Sequence, residues 1–263
     1  MKYAEYLSVA VDVARECGVM IKNAINLPKK VDHKGLLDLV TETDVAVEKI
    51  AIARLGGAFP GSKFIAEESS DASYLLTEDP TWIIDPVDGT TNFVHAWPEV
   101  AISIGLVISK EVVVGCIYNP CHDEMYTAIK GSGAFLNGQQ IHVSNVKDFD
   151  KAVVITEFGY NRTEAAIDNL LGRLRKLLEQ NLQALRMSGS GALDVCYIAR
   201  GIADGIFAWG WKPWDYCACT LLLEEAGGKC LDPSGGQFSI FGGGIIAGTA
   251  PMADAICQLI NST

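Results

Sequence analysis

The chain has 263 residues, 49% of them hydrophobic, so it can bury a large core as one domain or as two intimately packed halves. Its formal net charge of −11 argues against a nucleic-acid or anionic-membrane partner, because both select basic surfaces. No apolar run approaches the roughly 20 residues of a membrane span, and the cysteines show no metal or disulfide spacing, so we expect a reducing, cytoplasmic compartment.

The beginning of the chain predicts two helices separated by a polar segment. An apolar stripe predicts a helix over residues 4–25. Thr43 and Asp44 are expected to stand at the N-cap of a second helix that ends near residue 55. Lys34 lies in the polar loop between them, near Asp38, where its side chain either reaches toward a metal cleft or, as is more usual for a lysine, stays solvated.

The stretch 82–93 is the most informative part of the sequence. It begins with apolar residues that predict a buried strand ending at Asp85. Pro86 is expected to take the chain out of the sheet, and Asp88-Gly89 is a turn signal. Two carboxylates are therefore expected at one strand-to-turn corner, where their oxygens suit Mg²⁺.

Residues 100–141 favour antiparallel strands, with turns near residues 110, 131 and 137. Strands and helices alternate after that. The predicted strands are 152–156, 205–208, 229–231 and 244–248, and the predicted helices are 164–180, 191–200, 215–226 and 252–261. These patterns indicate layered α and β elements in two halves, about 1–145 and 146–263, with a cleft between them.

Acidic residues stand at the ends of four predicted elements, where rigid backbone can present them to a shared cleft. They are Asp44, Glu67 after the predicted strand 64–66, Asp85 with Asp88, and Asp215. Any one of them alone is more typical of a helix cap or a solvated turn. Their recurrence favours a common acidic site.

Six stretches make the chain resemble the inositol monophosphatase family of Mg²⁺-dependent, lithium-sensitive phosphatases. They follow the family's order over almost the whole chain and are residues 38–44, 64–69, 82–95, 189–193, 214–215 and 225–228. The resemblance implies an α+β fold, a layered αβαβα sandwich of the sugar-phosphatase type. It also implies a homodimer, to which the apolar 95–108 region is a candidate contributor.

The resemblance implies two principal metal sites. Glu67, Asp85 and the backbone carbonyl of Val87 would hold a first Mg²⁺. Asp85, Asp88 and Asp215 would hold a second, with Asp85 bridging the two ions. A third, weaker Mg²⁺ near Glu67 is usual in the family, and Li⁺ is expected to inhibit by displacing the second ion.

The resemblance also implies the catalytic and substrate-binding groups. Asp44 and Thr90 would form a hydrogen-bonded pair that takes the proton from the attacking water, close to Glu67. Gly89 and Thr90 would offer backbone N–H groups to the phosphate. The candidate substrate-binding residues are Gly89, Thr90, Tyr160, Gly189, Ser190, Gly191, Ala208 and Asp215.

Two positions depart from the family on the sugar side of the pocket. Ala208 stands where typical relatives carry an acidic residue that accepts hydrogen bonds from the inositol ring. Tyr160 stands where animal enzymes carry a small polar residue. Trp209, Trp211 and Lys212 could form a stacking wall with a positive anchor for a different ring or a second phosphate. Alternatively, one tryptophan belongs to the core and the other lines the dimer contact or the pocket rim.

The sequence therefore predicts a Mg²⁺-dependent phosphomonoesterase that hydrolyses inositol 1-phosphate by in-line attack of an activated water. Alternatives with the same chemistry act on fructose 1,6-bisphosphate, histidinol phosphate, NADP or 3′-phosphoadenosine nucleotides. An aspartyl-phosphate mechanism would need a D-x-D pair, whereas Asp85 and Asp88 are three residues apart. A non-catalytic regulatory binding module remains an alternative of another class.

Overall fold

The computed structural model describes residues 3–70 and 75–262. Its helices are α1 (Ala4–Ala24), α2 (Glu42–Ala58), α3 (Thr90–Val94), α4 (Glu164–Glu179), α5 (Gly191–Ala199), α6 (Pro213–Glu225) and α7 (Ala250–Asn261), with a 3₁₀ turn at Phe149–Lys151. Its strands are β1 (Val31–His33), β2 (Leu39–Thr41), β3 (Lys63–Ala66), β4 (Thr81–Asp88), β5 (Ala101–Ile108), β6 (Glu111–Asn119), β7 (Glu124–Ile129), β8 (Ala134–Leu136), β9 (Gln139–Ile141), β10 (Val153–Thr156), β11 (Ala184–Arg186), β12 (Gly205–Trp209), β13 (Lys229–Leu231) and β14 (Gly244–Gly248).

The larger sheet runs in the sequence order β3-β4-β5-β6-β7-β8-β9, with β3 parallel to β4 and every later pair antiparallel. Helices α1 and α2 pack on one face, and α6 covers the other. Ile102, Ile104 and Leu106 of β5 point into the α1–α2 core, whereas Ala101 faces α5 and α6. Covering both faces explains why β5 is apolar almost throughout.

The smaller sheet has the order β11-β10-β12-β14-β13 and mixes parallel and antiparallel pairs. Ile206 and Ile245 pack in the middle layer with α5 and α6, while Phe207 and Ile246 pack against α4 and α7. The layers are therefore α1–α2, large sheet, α5–α6, small sheet and α4–α7. This order confirms the predicted αβαβα sandwich.

Several local predictions are corrected by the structure. The strand predicted to end at Asp85 continues through Pro86 to Asp88. The N-cap of α2 is Thr41, which places Asp44 inside the first turn of that helix. The short elements β1, β2, α3 and β11 were not predicted, because they lack the length that makes a periodic pattern visible.

The apolar 95–108 region lies mostly in the core. Its second half is β5, a central strand of the larger sheet, and seven of that strand's eight residues are buried. Trp97, in the loop before it, is 60% exposed. Only the loop is therefore available for a contact with another chain. None of the described helices is long and apolar enough to cross a membrane.

Candidate metal and phosphate site

Three carboxylates converge where the large sheet meets the middle helices. Asp85, Asp88 and Asp215 each place one carboxylate oxygen so that the three atoms lie within 4.8 Å of one another. Asp85 and Asp88 are buried, and Asp215 is half-buried. The sequence separates Asp215 from the other two by more than 120 positions, so the fold itself creates this cluster.

A β-bulge in β4 aims the first two carboxylates. The pairing of β4 with β5 shifts register between Asp85 and Asp88, and Pro86 lies inside that shift. Proline has no N–H to donate, so a bulge is one of the few sheet positions that accepts it. The N–H of Val87 instead donates to Asp85 Oδ1 at 3.1 Å, which fixes the Asp85 side chain at the bend.

Asp88 is shared between the cluster and the start of α5. Its Oδ2 atom accepts a hydrogen bond from the Ser190 hydroxyl and another from the Ala192 N–H, the latter at 2.9 Å. Ser190 is the N-cap of α5 and also accepts from the N–H of Leu193. One oxygen of Asp88 is thus occupied by the helix start, and the other is free to face the cluster.

Asp215 is the third residue of α6 and is oriented by the helix cap. The N–H of Lys212, the N-cap residue, donates to Asp215 Oδ2 at 2.6 Å. The Asp215 N–H donates back to the Lys212 carbonyl at 3.0 Å. Pro213 occupies the first helical position, where its missing N–H costs nothing. The Asp215 carboxylate is therefore also part of the N-terminus of α6.

Asp44 and Thr90 meet beside the cluster although they are 46 positions apart. Thr90 Oγ1 lies 3.3 Å from Asp44 Oδ1 and 3.1 Å from the Val87 carbonyl oxygen. The other oxygen of Asp44 accepts from the N–H and hydroxyl of Thr41 at the N-cap of α2. The structure thus brings together the predicted proton-accepting pair and holds Asp44 rigidly.

Lys34 lies against the acidic cleft, so of the two positions considered for its side chain the solvated one is wrong and the one in the cleft is found. Its Nζ atom is 2.6 Å from Glu67 Oε1, 3.0 Å from Glu68 Oε1 and 3.9 Å from Asp38 Oδ1. Burial lowers the pKa of the ammonium, but the charges and hydrogen bonds of Glu67 and Glu68 outweigh that effect and raise it. Glu67, a predicted metal ligand, is thus neutralised by a lysine.

The carboxyl groups of Asp85, Asp88 and Asp215 lie close together, so their negative charges repel one another when ionised. Burial, followed by the charges of Glu67 and Asp88, raises the pKa of Asp85 and of Asp215 well above the usual range. Burial likewise raises the pKa of Asp88 to about 6, despite hydrogen bonds from Ser190 and the start of α5. A bound cation would relieve this repulsion. Because every donor is an oxygen, the set fits a hard ion such as Mg²⁺.

Gly89 allows the chain to turn from β4 into α3. Its φ of +87° is the left-handed conformation. A Cβ at this position would lie 2.8 Å from the Glu99 carbonyl oxygen and 3.2 Å from that of Gly189. The first N–H groups of a helix have no partner within it, so the start of α3 presents donors beside the carboxylates. Only glycine fits this corner.

The loop 188–192 lies opposite α3 and contains three of the predicted substrate-binding residues. Asn92 Nδ2 donates to the carbonyls of Ser188, at 2.7 Å, and Glu99, at 2.8 Å. Gly189 has a φ of +84°, and a Cβ there would lie 2.7 Å from the Asn92 side chain. The 188–192 loop is therefore fixed to α3 on one side and to Asp88 on the other.

Tyr160 and Ala208 occupy very different positions. The Tyr160 side chain is 59% exposed, and its pKa is raised by partial burial and then by the carboxylates of Asp38 and Glu67. Its hydroxyl is therefore close to the acidic cleft. Ala208 is 1% exposed and packs in the middle layer. Its methyl group is closed to a substrate, so the structure does not support direct contact with Ala208.

Trp209 and Trp211 do not form a wall together. The Trp209 ring packs edge-on against Phe207 and carries the Arg173 guanidinium 3.6 Å from its centroid, on the α4 side of the small sheet. Trp211 packs against Tyr216 and the start of α5, where a Cβ on Gly191 would lie 2.8 Å from its ring. The interpretation that divides the two rings between core and pocket rim is the one that fits.

Sequence reasoning missed three residues that hold the site together. They are Asn92, Glu157 and Ser188. Glu157 accepts the Gly189 N–H at 2.8 Å directly after β10, so the same strand-end rule that selected Glu67 would have selected it. Asn92 lies inside the informative stretch 82–93. Ser188 has no comparable local signal.

Comparisons with known proteins identify the family of the chain. The model of the inositol monophosphatase family matches residues 2–263. The inositol monophosphatase of Dictyostelium discoideum is 43% identical over 258 residues, which cover 97% of this chain and 95% of the relative. Inositol monophosphatase 2 of Homo sapiens is 40% identical over 264 residues, covering 99% of this chain and 92% of the relative.

Solved structures show the same fold. The extragenic suppressor protein suhB from Bartonella henselae superposes with a TM-score of 0.91 at 33% identity, covering 98% of each chain. The inositol monophosphatase from Anabaena gives a TM-score of 0.88 at 33% identity, covering 99% of this chain and 96% of that one. The chain belongs to the inositol monophosphatase family.

Proposed function

We propose that this chain is a Mg²⁺-dependent phosphomonoesterase that hydrolyses inositol 1-phosphate to inositol and phosphate. The observation that carries the proposal is the convergence of Asp85, Asp88 and Asp215 beside the Asp44–Thr90 pair. A metal-ligand cluster alone would suit many proteins. The Asp44–Thr90 pair, a proton acceptor held next to the cluster in a chain of this family, supports hydrolysis.

The metal ligands are assigned as follows. Glu67, Asp85 and the Val87 carbonyl would hold a first Mg²⁺, and Asp85, Asp88 and Asp215 would hold a second. A third, weaker ion near Glu67 would have to displace Lys34, whose Nζ atom lies 2.6 Å from Glu67 Oε1. When bound, the ions lower the pKa of a water and neutralise charge on the leaving oxygen. The Val87 carbonyl accepts from Thr90 at 3.1 Å and keeps a second lone pair for a ligand role.

Thr90 and Asp44 accept the proton of the attacking water. The Thr90 hydroxyl donates toward Asp44 Oδ1, which leaves the Thr90 oxygen free to accept a hydrogen bond from water. Burial raises the pKa of Asp44, in spite of the hydrogen bonds from Thr41, so its carboxylate is a stronger base than an exposed aspartate. Glu67, on the other side of the cluster, orients the same water.

The phosphate docks at the start of α3, against the backbone N–H groups of Gly89 and Thr90. The helix start, with its unpartnered N–H groups, favours an anion. The close approach of the Gly189 carbonyl oxygen, 3.2 Å from where a Cβ of Gly89 would lie, brings the 188–192 loop next to this helix start. Hydrolysis then occurs between this helix start and the carboxylate cluster.

The leaving group faces the 188–192 loop, Asp215 and Tyr160. The Ser190 hydroxyl is committed to Asp88 and the Gly189 N–H to Glu157, so we assign to Gly189, Ser190 and Gly191 the shape of the pocket wall rather than hydrogen bonds to the leaving group. Tyr160 and Phe158 form an exposed aromatic rim, 59% and 56% exposed. This rim is the observation that favours the second candidate function, the same chemistry on a small phosphate ester with a flatter or more apolar leaving group.

Phosphate release from a substrate panel tests the proposal. Inositol 1-phosphate, fructose 1,6-bisphosphate, histidinol phosphate, NADP and a 3′-phosphoadenosine nucleotide are compared by kcat/KM in saturating Mg²⁺. We expect inositol 1-phosphate to be preferred. Preference for another ester would retain the chemistry and replace the substrate, whereas no release from any ester would revive the non-catalytic binding module.

The Asp88→Asn variant is the control for that assay. The amide keeps the size of the side chain and an oxygen for the Ser190 and Ala192 bonds but removes the charge. We expect turnover to fall by at least about 10²-fold while the circular dichroism spectrum is unchanged. Turnover close to that of the unmodified enzyme would contradict the metal assignment.

We further propose a cytoplasmic homodimer that is inhibited by Li⁺. The loop bearing Trp97, 60% exposed beside the core, is the segment assigned to the subunit contact. Trp97→Ala is expected to weaken the dimer, which light scattering across a dilution series would measure. Li⁺ is expected to compete at the second Mg²⁺ site, and unchanged turnover in millimolar Li⁺ would contradict that assignment.

A further inference from the structure

Asp194 is a fully buried carboxyl group to which the proposed function gives no role. It lies in the first turn of α5 and is 0% exposed. Neither carboxylate oxygen accepts a well-formed hydrogen bond among the described residues, although the Ser188 and Glu157 side chains lie close enough to interact with it. An ionised carboxylate in such a place would cost several kcal/mol. The side chain therefore needs a compensating cation, and the smallest one is a proton.

The neighbours of Asp194 are acidic. Burial is the main cause that raises its pKa, followed by the charge of Glu157, while Ser188 opposes the shift and Asp88 adds to it. Every neighbouring charge among the main causes of this shift is negative. A metal ion is a poor alternative, since Asp194 and Glu157 together supply fewer oxygens than Mg²⁺ or Ca²⁺ requires.

Glu157 connects Asp194 to the 188–192 loop. Its Oε1 atom accepts the Gly189 N–H at 2.8 Å. From there the loop leads to Ser190 and Ala192, which both donate to Asp88 Oδ2. The 188–192 loop thus lies between Asp88 on one side and Asp194 with Glu157 on the other. A change in the Asp194–Glu157 contact is therefore expected to move Ser190 and Ala192, which donate the hydrogen bonds that orient Asp88.

We propose that Asp194 is a neutral carboxylic acid that donates its proton to the Glu157 carboxylate, and that this acid pair positions the 188–192 loop and through it Asp88. Asp194 is a positioning residue, because it touches neither metal nor substrate. One proton is shared and none is consumed. The inference rests on the proposed function only in taking Asp88 as a metal ligand.

Two substitutions at Asp194 separate positioning from packing. Asp194→Asn replaces the O–H donor with an N–H donor of the same shape, so we expect Mg²⁺ affinity within about threefold of the unmodified protein. Asp194→Leu removes the donor while filling the space. We expect it to lower Mg²⁺ affinity by about tenfold to a hundredfold, the range for groups that orient metal ligands.

Mg²⁺ affinity is measured by calorimetry without substrate, and folding by thermal melts. Asp204→Asn is the matched control, since Asp204 is also buried but accepts from the Val153 N–H, at 2.7 Å, and from the Ser144 hydroxyl. It is expected to lower the melting temperature without changing Mg²⁺ affinity. An Asp194→Leu variant that binds Mg²⁺ normally would overturn the positioning role.

The protonation state of Asp194 is tested separately, by infrared spectroscopy. In saturating Mg²⁺, the infrared difference spectrum between the unmodified protein and Asp194→Asn is expected to contain the C=O band of a carboxylic acid. A difference in carboxylate bands only, or an equal loss of Mg²⁺ affinity in the Asn and Leu variants, would overturn the neutral acid. If Asp88→Asn itself leaves Mg²⁺ binding unchanged, the failure lies in the proposed function instead.

Discussion

At the scale of single residues, Thr90 has two acceptors for one proton. Its hydroxyl lies 3.1 Å from the Val87 carbonyl and 3.3 Å from Asp44 Oδ1, so the two bonds compete. A ligand that engages the Val87 carbonyl would shift the hydroxyl toward Asp44 and leave the Thr90 oxygen as the acceptor for water. The same hydroxyl thus links metal binding to proton removal.

We therefore predict that Thr90→Val lowers kcat by about 10²- to 10⁴-fold, the usual contribution of a positioned proton acceptor. The valine has nearly the same shape, so Mg²⁺ affinity is expected to change little. Steady-state phosphate release and calorimetry measure the two quantities. Thr90→Ser, which restores the hydroxyl, is expected to recover activity to within about tenfold, and a Val variant as active as the Ser variant would refute the pairing.

Among single residues, Lys34 is the one that we expect to weaken Mg²⁺ binding. Its ammonium neutralises Glu67 and Glu68, so a cation at Glu67 must compete with it. We predict that Lys34→Met lowers the melting temperature in EDTA and tightens Mg²⁺ binding by about tenfold, equivalent to ~1.4 kcal/mol. Melting curves and calorimetry test both effects.

The control for Lys34 is a lysine at the start of the same hairpin. Lys30 Nζ lies 3.7 Å from Asp32 Oδ2, and its side chain is 78% exposed, so its ion pair contributes little. Lys30→Met is expected to leave Mg²⁺ affinity unchanged. Weaker Mg²⁺ binding in Lys34→Met than in Lys30→Met would show that Lys34 assists the metal rather than competing with it.

At the scale of elements, three helix starts place the functional carboxylates. Asp44 is the third residue of α2, Asp215 is the third residue of α6, and Asp88 accepts from the start of α5. Each carboxylate thus satisfies helix N–H groups that would otherwise lack partners, and each is held rigidly in return. A capping role therefore does not compete with the proposed roles of these residues in metal binding and proton removal, because each carboxylate has a second oxygen.

The turn from β4 into α3 gives an element-level prediction. Gly89→Ala would force a Cβ to within 2.8 Å of the Glu99 carbonyl oxygen at a φ of +87°, so we expect a loss of at least about 2 kcal/mol in stability and a large loss of activity. Urea denaturation and phosphate release measure these changes.

Gly57→Ala provides the opposite case. Gly57 lies in the last turn of α2, and a Cβ there meets nothing within 4 Å. Alanine is expected to stabilise the protein by about 0.5–1 kcal/mol with no change in activity. If both alanine variants were neutral in denaturation experiments, the close approach at Gly89 would not be the constraint that the structure indicates.

Sequence patterns predicted the layers and the acidic residues because both leave strong local signals. The apolar run of β5 and the strand-end carboxylates Asp85 and Glu67 are visible without tertiary information. The continuation of β4 through Pro86 could not be predicted, since a bulge depends on the partner strand. The sequence could not decide between the two positions of Lys34 either, because the β1–β2 hairpin that carries it lacks a periodic pattern.

The two tryptophans show where pattern reasoning stops. Trp209 ends β12 on the α4 side, and the turn at Gly210, with a φ of +82°, sends Trp211 back to the α5 side. The order of residues in a turn does not reveal this division. The burial of Ala208 follows from the same strand, because alternate residues of β12 face opposite layers.

At the scale of the whole molecule, the acidic cluster couples stability to pH and to metal. Burial raises the pKa of Asp88 to about 6 and that of Asp85 and Asp215 well above the usual range, from 3.8 in the unfolded chain. The folded state then binds protons more tightly than the unfolded state. This contribution to stability is fully present below the unfolded pKa and is lost as pH rises through the folded pKa values.

We predict that the melting temperature in EDTA falls between about pH 5 and pH 7, as these carboxyl groups ionise without a cation. Saturating Mg²⁺, which binds only the folded state, is expected to remove the fall and to stabilise most strongly at the higher pH. Asp88→Asn in EDTA provides the matched comparison, with a smaller fall because one buried charge is gone. A melting temperature in EDTA that rises over this interval in the unmodified protein, or a Mg²⁺ effect equal at pH 5 and pH 7, would show that the cluster does not carry the charge repulsion from which the metal site is inferred.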